Sequence, residues 1–317
     1  MGGDMFSANR PWPVRGYFRK RRDSMDSSNL KGRPPYPFST IGVAVAFSPR
    51  LERVLAEGKL LAETFGARLL LIHIGARTHG HEISLHEILT RLGINTAEVK
   101  VIWQEGDKVV RALLELCKQN SVDLLVLGAR RRENVLRYYL GSVARGISRA
   151  AKCSLLLLTE PSLGGTPFRK LVVSGVLHPK TILTMKTAAY FARQMGASNM
   201  AVVTEVDQPG LAMAMADDST AGQASLIKRE FSSDEDLKLH AMVSRCPPDE
   251  FAITEQVIPG RPGYAIRQYA AISKADLLVI NSPDARYGLI DRIFTHDMEY
   301  ILEDLPCNML IVHSRLS

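Results

Sequence analysis

Residues 125–158 read LLVLGARRRENVLRYYLGSVARGISRAAKCSLLLL. An apolar run closes on Gly128, the pair Gly141-Ser142 opens a stretch with helical spacing, and a second apolar run follows. Neither run alternates polar with apolar, so both read as strands covered on two faces. Strand, helix and buried strand in succession is the repeating unit of a parallel sheet layered between helices.

The same alternation extends upstream. TIGVAVA (40–46) is rich in β-branched and small residues and reads as a strand, after which Ser48-Pro49 marks a helix start. In LERVLAEGKLLAETF, Leu51, Val54, Leu55, Leu61 and Phe65 fall on one helical face, and Gly66 stops the helix. RLLLIHI and VKVIWQ are further strands, and Gly106-Asp107 opens a helix with Val109, Leu113, Leu116 and Cys117 inward. DLLVLG, GSVARGISRAA and CSLLLL complete five strands. Right-handed crossovers then give a doubly wound α/β sandwich, with a ligand crevice at the carboxyl ends of the strands.

The unit occurs twice. Pro49 in FSTIGVAVAFSP and Pro179 in FRKLVVSGVLHP are 130 residues apart, as are Gly66 and Gly196. Asp123 in VDLLVLG and Asp276 in ADLLVIN are 153 apart, and Cys153 and Cys307, each before an apolar run, are 154 apart. The growing offset places an insertion in the second copy. The expected organisation is a basic tail over 1–36, a first domain over 37–162, a linker over 163–167, and a second domain over 168–317 with its insertion near 207–250. The fold expected is two tandem five-stranded, mostly parallel sheets.

Charge and composition narrow the function. The chain has 317 residues, 46% hydrophobic, with a net charge of +7. The tail carries eight Lys/Arg and three Asp, a charge of +5, which leaves only +2 for the rest. No broad nucleic-acid surface is expected on a body so nearly balanced. The tail itself is Pro-, Ser- and Arg-rich, without an apolar face, and reads as disordered. It has no hydrophobic segment of a secretory signal, and no run approaches the ~20 apolar residues of a membrane span. Four cysteines, with Cys117 and Cys153 in apolar contexts, read as core residues of a reduced cytoplasmic protein.

Gly128 and Gly141-Ser142 admit two readings. A glycine at a strand end lets a ligand approach the backbone, and a helix N-terminus offers free N–H groups and partial positive charge, which together suit phosphate. Equally, Ser142 or its neighbour caps the helix and Gly128 turns the chain. The arginines 130–132 form either a cationic loop over the crevice or a solvated one.

The five-strand order, the Gly-Asp opening and the pattern DLLVLGxxx…LGSVxxxIxxxxxCxLLLL resemble the universal stress protein family, over nearly the whole chain as a tandem pair. The resemblance implies a stress-response role exercised by binding and interaction, without catalysis. The family's ATP-binding branch carries G-x2-G-x9-G-[ST]. Laid on this sequence, Gly128 and Gly141-Ser142 keep the spacing, and Arg131 stands where the middle glycine would be. By this resemblance an adenine nucleotide, with Mg when it is ATP, would meet Gly128, Arg131, Gly141, Ser142, Val143 and the backbone of Ile74. That branch also has an Asp at the end of the first strand, where this chain has Ala46 followed by Phe47. In the second copy Asn281 and Asp284 replace the first two glycines and Phe294-Thr295 replaces Gly-Ser, so nucleotide is expected only in the first. The resemblance further implies an intramolecular pseudo-dimer of the two copies, with SLLLL (154–158) and MLIV (309–312) as the contact strands, and allows a homodimer. Alternatives are an ATP-binding regulatory module with slow or no hydrolysis and a nucleotide-free scaffold.

THGHEISLHE (78–87) offers His79, His81, His86, Glu82 and Glu87, but reads as a polar loop, and no metal site is expected. His296-Asp297 reads as the first turn of a helix.

Overall fold

The computed structural model describes residues 34–131, 138–139, 141–206, 234–246, 252–283 and 298–314. Residues 1–33, most of the insertion, the stretch 132–137, and Asp284, Phe294, Thr295, His296 and Asp297 lie outside the described residues.

The front half runs β1 (Thr40–Ala44), α1 (Leu51–Phe65), β2 (Arg68–Ile74), α2 (His79–Arg91), β3 (Lys100–Gln104), α3 (Val109–Gln119), β4 (Leu124–Gly128), the short β5 (Arg130–Arg131) and β6 (Tyr138–Tyr139), α4 (Ser142–Ala150) and β7 (Ser154–Leu158). The rear half runs β8 (Lys170–Ser174), α5 (Thr181–Met195), β9 (Asn199–Val206), a helix α6 over 234–243, β10 (Ala252–Pro259), α7 (Tyr264–Ile272), β11 (Leu277–Asn281), helical residues 298–303 and β12 (Asn308–Val312). The expected strands are all present.

Both five-stranded sheets are parallel and have the same internal order, and they join edge to edge. The result is one ten-stranded sheet, β10-β9-β8-β11-β12-β7-β4-β1-β2-β3. The single antiparallel pairing within it is β12 with β7, Leu310 opposite Leu156. All five residues of each of these two strands are buried, which explains their continuous apolar sequence.

The duplication reaches individual hydrogen bonds. Asp123 Oδ2 accepts from the N–H groups of Ser39 and Thr40 at 2.8 and 2.9 Å, fixing the start of β1 beside β4. Asp276 Oδ2 does the same for Arg169 and Lys170, both at 2.9 Å, at the start of β8. Gly66 and Gly196 both end their helices in the left-handed conformation, with φ of 61° and 65°.

A shared core joins the halves. Phe38 and Phe65 of the front pack on Tyr190 and Phe191 of α5, with ring centroids 5.5–5.7 Å apart. Phe168 meets Phe191 edge-on at 5.2 Å. The linker is tied down by Glu57, a fully buried carboxylate of α1 whose Oε1 accepts from the Ser162 N–H at 3.1 Å and from the Thr166 hydroxyl.

Two local expectations are corrected. Residues 79–91 are a helix rather than a loop: Leu85, Ile88 and Leu89 form a narrow buried stripe, and the Thr78 hydroxyl caps the first turn by accepting from His81 N–H. Polar residues on the remaining faces hid that stripe in the sequence. α1 starts later than Ser48-Pro49, with Arg50 at its N-cap and no side-chain cap. No helix among the described residues is long and apolar enough to cross a membrane.

Candidate functional site

β4 delivers Gly128 to the carboxyl edge of the sheet, exposed and in register with Leu158 of β7. A Cβ at position 128 would lie 3.1 Å from Val54 Cγ2, so glycine lets the strand end close against α1. The chain then forms a small hairpin in which Arg131 pairs with Tyr138 and Arg130 with Tyr139. Arg132 falls outside the described residues.

The hairpin returns the chain to Gly141, which occupies the N-cap of α4 with φ −63° and ψ 166°. Its carbonyl accepts from Arg145 N–H at 3.0 Å, and as a glycine it offers the helix no capping side chain. Ser142 is already the first helical residue, and its exposed side chain does not serve as a cap. The first N–H groups of α4 receive no cap from the N-cap residue itself and carry the positive end of the helix dipole. α3 begins in the same way, with Lys108 at an N-cap that its own side chain does not cap. Ser142 and Val143 share a groove of about 590 Å³ with Asp107, Lys108, Val110, Arg111 and Leu114. Gly128 and Ile74 do not line this groove, so the structure does not gather all the sequence-derived residues into one cavity.

Ile74 ends β2 at the other end of the crevice, opposite Gln104 of β3. Here the crevice is filled. Ala46 is exposed, and the half-buried Phe47 beside it stacks on His81 at 3.9 Å with the rings 4° from parallel. Phe47 also lies nearly parallel to Trp103 at 5.9 Å and edge-on to His73 at 5.0 Å. His73 is 8% exposed; its Nδ1 stands 3.0 Å from the Val45 carbonyl, and its buried Nε2 has no hydrogen-bond partner. Arg77 lies 5.9 Å from the Trp103 centroid and pairs with Glu82. His73 and Trp103 were missed in the sequence because each sits inside a strand, His73 between Ile72 and Ile74 and Trp103 between Ile102 and Gln104, where it reads as a packing residue. A histidine in a two-face-buried strand, followed at once by Gly75, was the available signal.

Arg50 was missed for a different reason, since a charge after proline looks solvated. Its guanidinium donates to the carbonyls of Ala129 and Thr159, binding the start of α1 to the ends of β4 and β7. Its counterpart 130 residues later, Lys180, is fully buried. In the rear crevice Asn281 occupies the place of Gly128 and donates Nδ2 to Thr181 Oγ1 at 3.0 Å. Glu205 fills the rear helix terminus outright: its carboxylate accepts from the N–H groups of Gly263 and Ile266 at 3.1 and 2.8 Å, at the start of α7.

The cysteines behave as core residues. Cys117, Cys153 and Cys246 are buried, and all four are free thiols. Hydrogen bonding to Cys153, together with burial, pushes the Cys117 thiol far above its ordinary range, and burial pushes Cys307 up to about 12. Among the described residues no group of three or more His, Cys, Asp or Glu side chains is placed to hold a metal, and His79 and His86 are exposed.

Residues 76–159, which contain α2 through β7 and the Gly128–Ser142 segment, match the universal stress protein family. No curated protein matches the chain in sequence. Its fold is similar to that of a protein of unknown function from Pseudomonas aeruginosa PAO1, at 16% identity and a TM-score of 0.62, covering 88% of this chain and 93% of that one. It is also similar to a universal stress protein from Archaeoglobus fulgidus DSM 4304, at 13% identity and a TM-score of 0.54, covering 88% and 98%. The α/β fold with a mostly parallel sheet is thus the fold of universal stress proteins, at tandem length.

Proposed function

We propose that this chain is a cytoplasmic stress-response protein that works by binding rather than catalysis, and that its front half seats the phosphate of an adenine nucleotide at the start of α4. The observation that supports this reading is the N-cap of α4, a glycine that offers no capping side chain, where Ser142 shares a groove with Lys108 and Arg111. Exposed helix N–H groups beside two cations favour an anion. The two halves act as the intramolecular counterpart of a dimer, β7 and β12 covering each other's edges. A further homodimer would use other surfaces. Four free thiols suit a reducing compartment.

A second reading, the nucleotide-free scaffold, is favoured by Phe47. Stacked on His81 and close to Trp103, its ring takes the space that a base beside Ile74 would need.

Thermal unfolding with and without Mg-ATP separates the two. Ligand at one hundred times its Kd stabilises by about 2.7 kcal/mol. Gly141→Asp places a carboxylate at the N-cap, which caps the helix but repels phosphate, so it is expected to melt at or above wild type and to lose the Mg-ATP shift. Phe47→Ala, which opens the base end, is expected to enlarge the shift. No shift in either wild type or Phe47→Ala leaves the scaffold reading.

A further inference from the structure

We propose that His73 and His81 hold a soft monovalent metal ion of the copper(I) class through their Nε2 atoms, at the carboxyl ends of β1 and β2. The argument starts from proton positions. The carbonyl of Val45 can only accept, so His73 Nδ1, 3.0 Å away, carries the hydrogen and Nε2 carries a lone pair. That lone pair is buried and receives no hydrogen bond. His81 has the same polarity: its Nδ1 stands 3.3 Å from the Ala76 carbonyl, which leaves Nε2 as the basic nitrogen. An imidazole whose Nδ1–H is fixed on a backbone carbonyl, with Nε2 free, is the usual arrangement of a metal-ligating histidine.

Spacing and space agree with this assignment. The two ring centroids are 5.7 Å apart and the rings are 69° from parallel. Two imidazoles sharing one ion through bonds of about 2.0–2.1 Å have centroids up to roughly 6.5 Å apart when the ion is linear, so the rings need to part by less than about 1 Å to hold it. Residue 75 is a glycine with φ +148°, and a Cβ there would lie 3.0 Å from His73 Nε2. Room beside the free nitrogen therefore depends on the missing side chain.

The surroundings select the ion. Glu82, the acid in the first turn of α2, is paired with Arg77, so the donor set is two neutral nitrogens. Two ligands are too few for a tetrahedral zinc site, but they satisfy a d10 monovalent ion that accepts two-coordination. A single charge is also less costly to bring into this aromatic surrounding of Phe47 and Trp103.

Silver(I), a redox-inert stand-in for copper(I), tests the proposal in chloride-free buffer with the full chain. Trp12→Phe leaves Trp103 as the reporter, since the chain has two tryptophans. The expected result is saturation of the Trp103 emission change at one equivalent. His81→Gln, a change at a partly exposed ring, should melt like wild type without silver and bind at least about tenfold more weakly. Unchanged Trp103 emission while silver binds elsewhere overturns the proposal, as does equal affinity in His81→Gln. Equally, no silver binding means that a buried water donates to His73 Nε2 instead, which also overturns it. None of these readings depends on the Mg-ATP shift, so either proposal can fail without the other.

Discussion

The two halves share a backbone and a strand order, yet their crevices have been finished in opposite ways. In the rear half the chain's own side chains occupy the crevice: Glu205 caps α7, Asn281 bonds Thr181, and Lys180 is buried where the front has Arg50. In the front half α3 and α4 begin without side-chain caps, and the crevice divides into an open cationic groove and an aromatic stack. A helix N-terminus attracts negative charge in either case. The rear half supplies that charge to α7 from its own sequence through Glu205; in the function proposed above, an anion would supply it at α4.

The comparison assumes that both crevices hang on one shared core, and the largest expected effect tests that assumption. Phe38 and Phe168 are equivalent positions, each 1% exposed. Either change to Ala should cost about 3–5 kcal/mol. Phe38 meets Phe65 and Tyr190, whereas Phe168 has a ring contact with Phe191 alone. Phe38→Ala should therefore be the more damaging by about 0.5–1.5 kcal/mol. Denaturant unfolding followed by far-UV circular dichroism and by Trp103 emission checks this. A rear half that survives Phe38→Ala in a separate transition would break the comparison. Next in size, Glu205→Ala should cost about 1–2 kcal/mol, because two N–H groups at the start of α7 lose their acceptor. Sulfate should then recover part of the melting temperature in this variant more than in wild type. Equal response to sulfate would mean that the rear terminus does not differ from the front in the way described.

The duplication was legible because it rests on local pattern. Asp123 and Asp276 stand at the same place before an apolar run, and they make the same pair of hydrogen bonds. The Gly141-Ser142 helix start was legible for the same reason, although the N-cap turned out to be the glycine. What escaped the sequence depends on residues that only the fold brings together. Arg50 lies 79 and 109 positions from the carbonyls it binds. Phe47, His73, His81 and Trp103 come from four separate segments, and nothing in any one of them announces the other three. α2 was hidden because three buried positions among exposed polar ones give a weak periodic signal.

The smallest effect sharpens the comparison at the seam between the halves. Tyr190 of α5 stacks on Tyr36 and Phe65 of the front half, while its front counterpart 130 residues earlier is Leu60. Burial pushes the Tyr190 hydroxyl up to about 12, despite a hydrogen bond with the Phe38 backbone that acts the other way. The neutral phenol is thus favoured by folding. In the unfolded chain the same group ionises near 10, so the unfolded state loses its proton first as the pH rises. The stabilisation is complete below pH 10 and is lost between about 10 and 12. Tyr190→Phe keeps the ring stack and has no proton to lose. Its melting temperature should fall less steeply than that of wild type across this window, and the two curves should run parallel below it. Parallel curves throughout would mean that the seam is open to water at Tyr190, and that the two halves are less tightly joined than the aromatic packing requires.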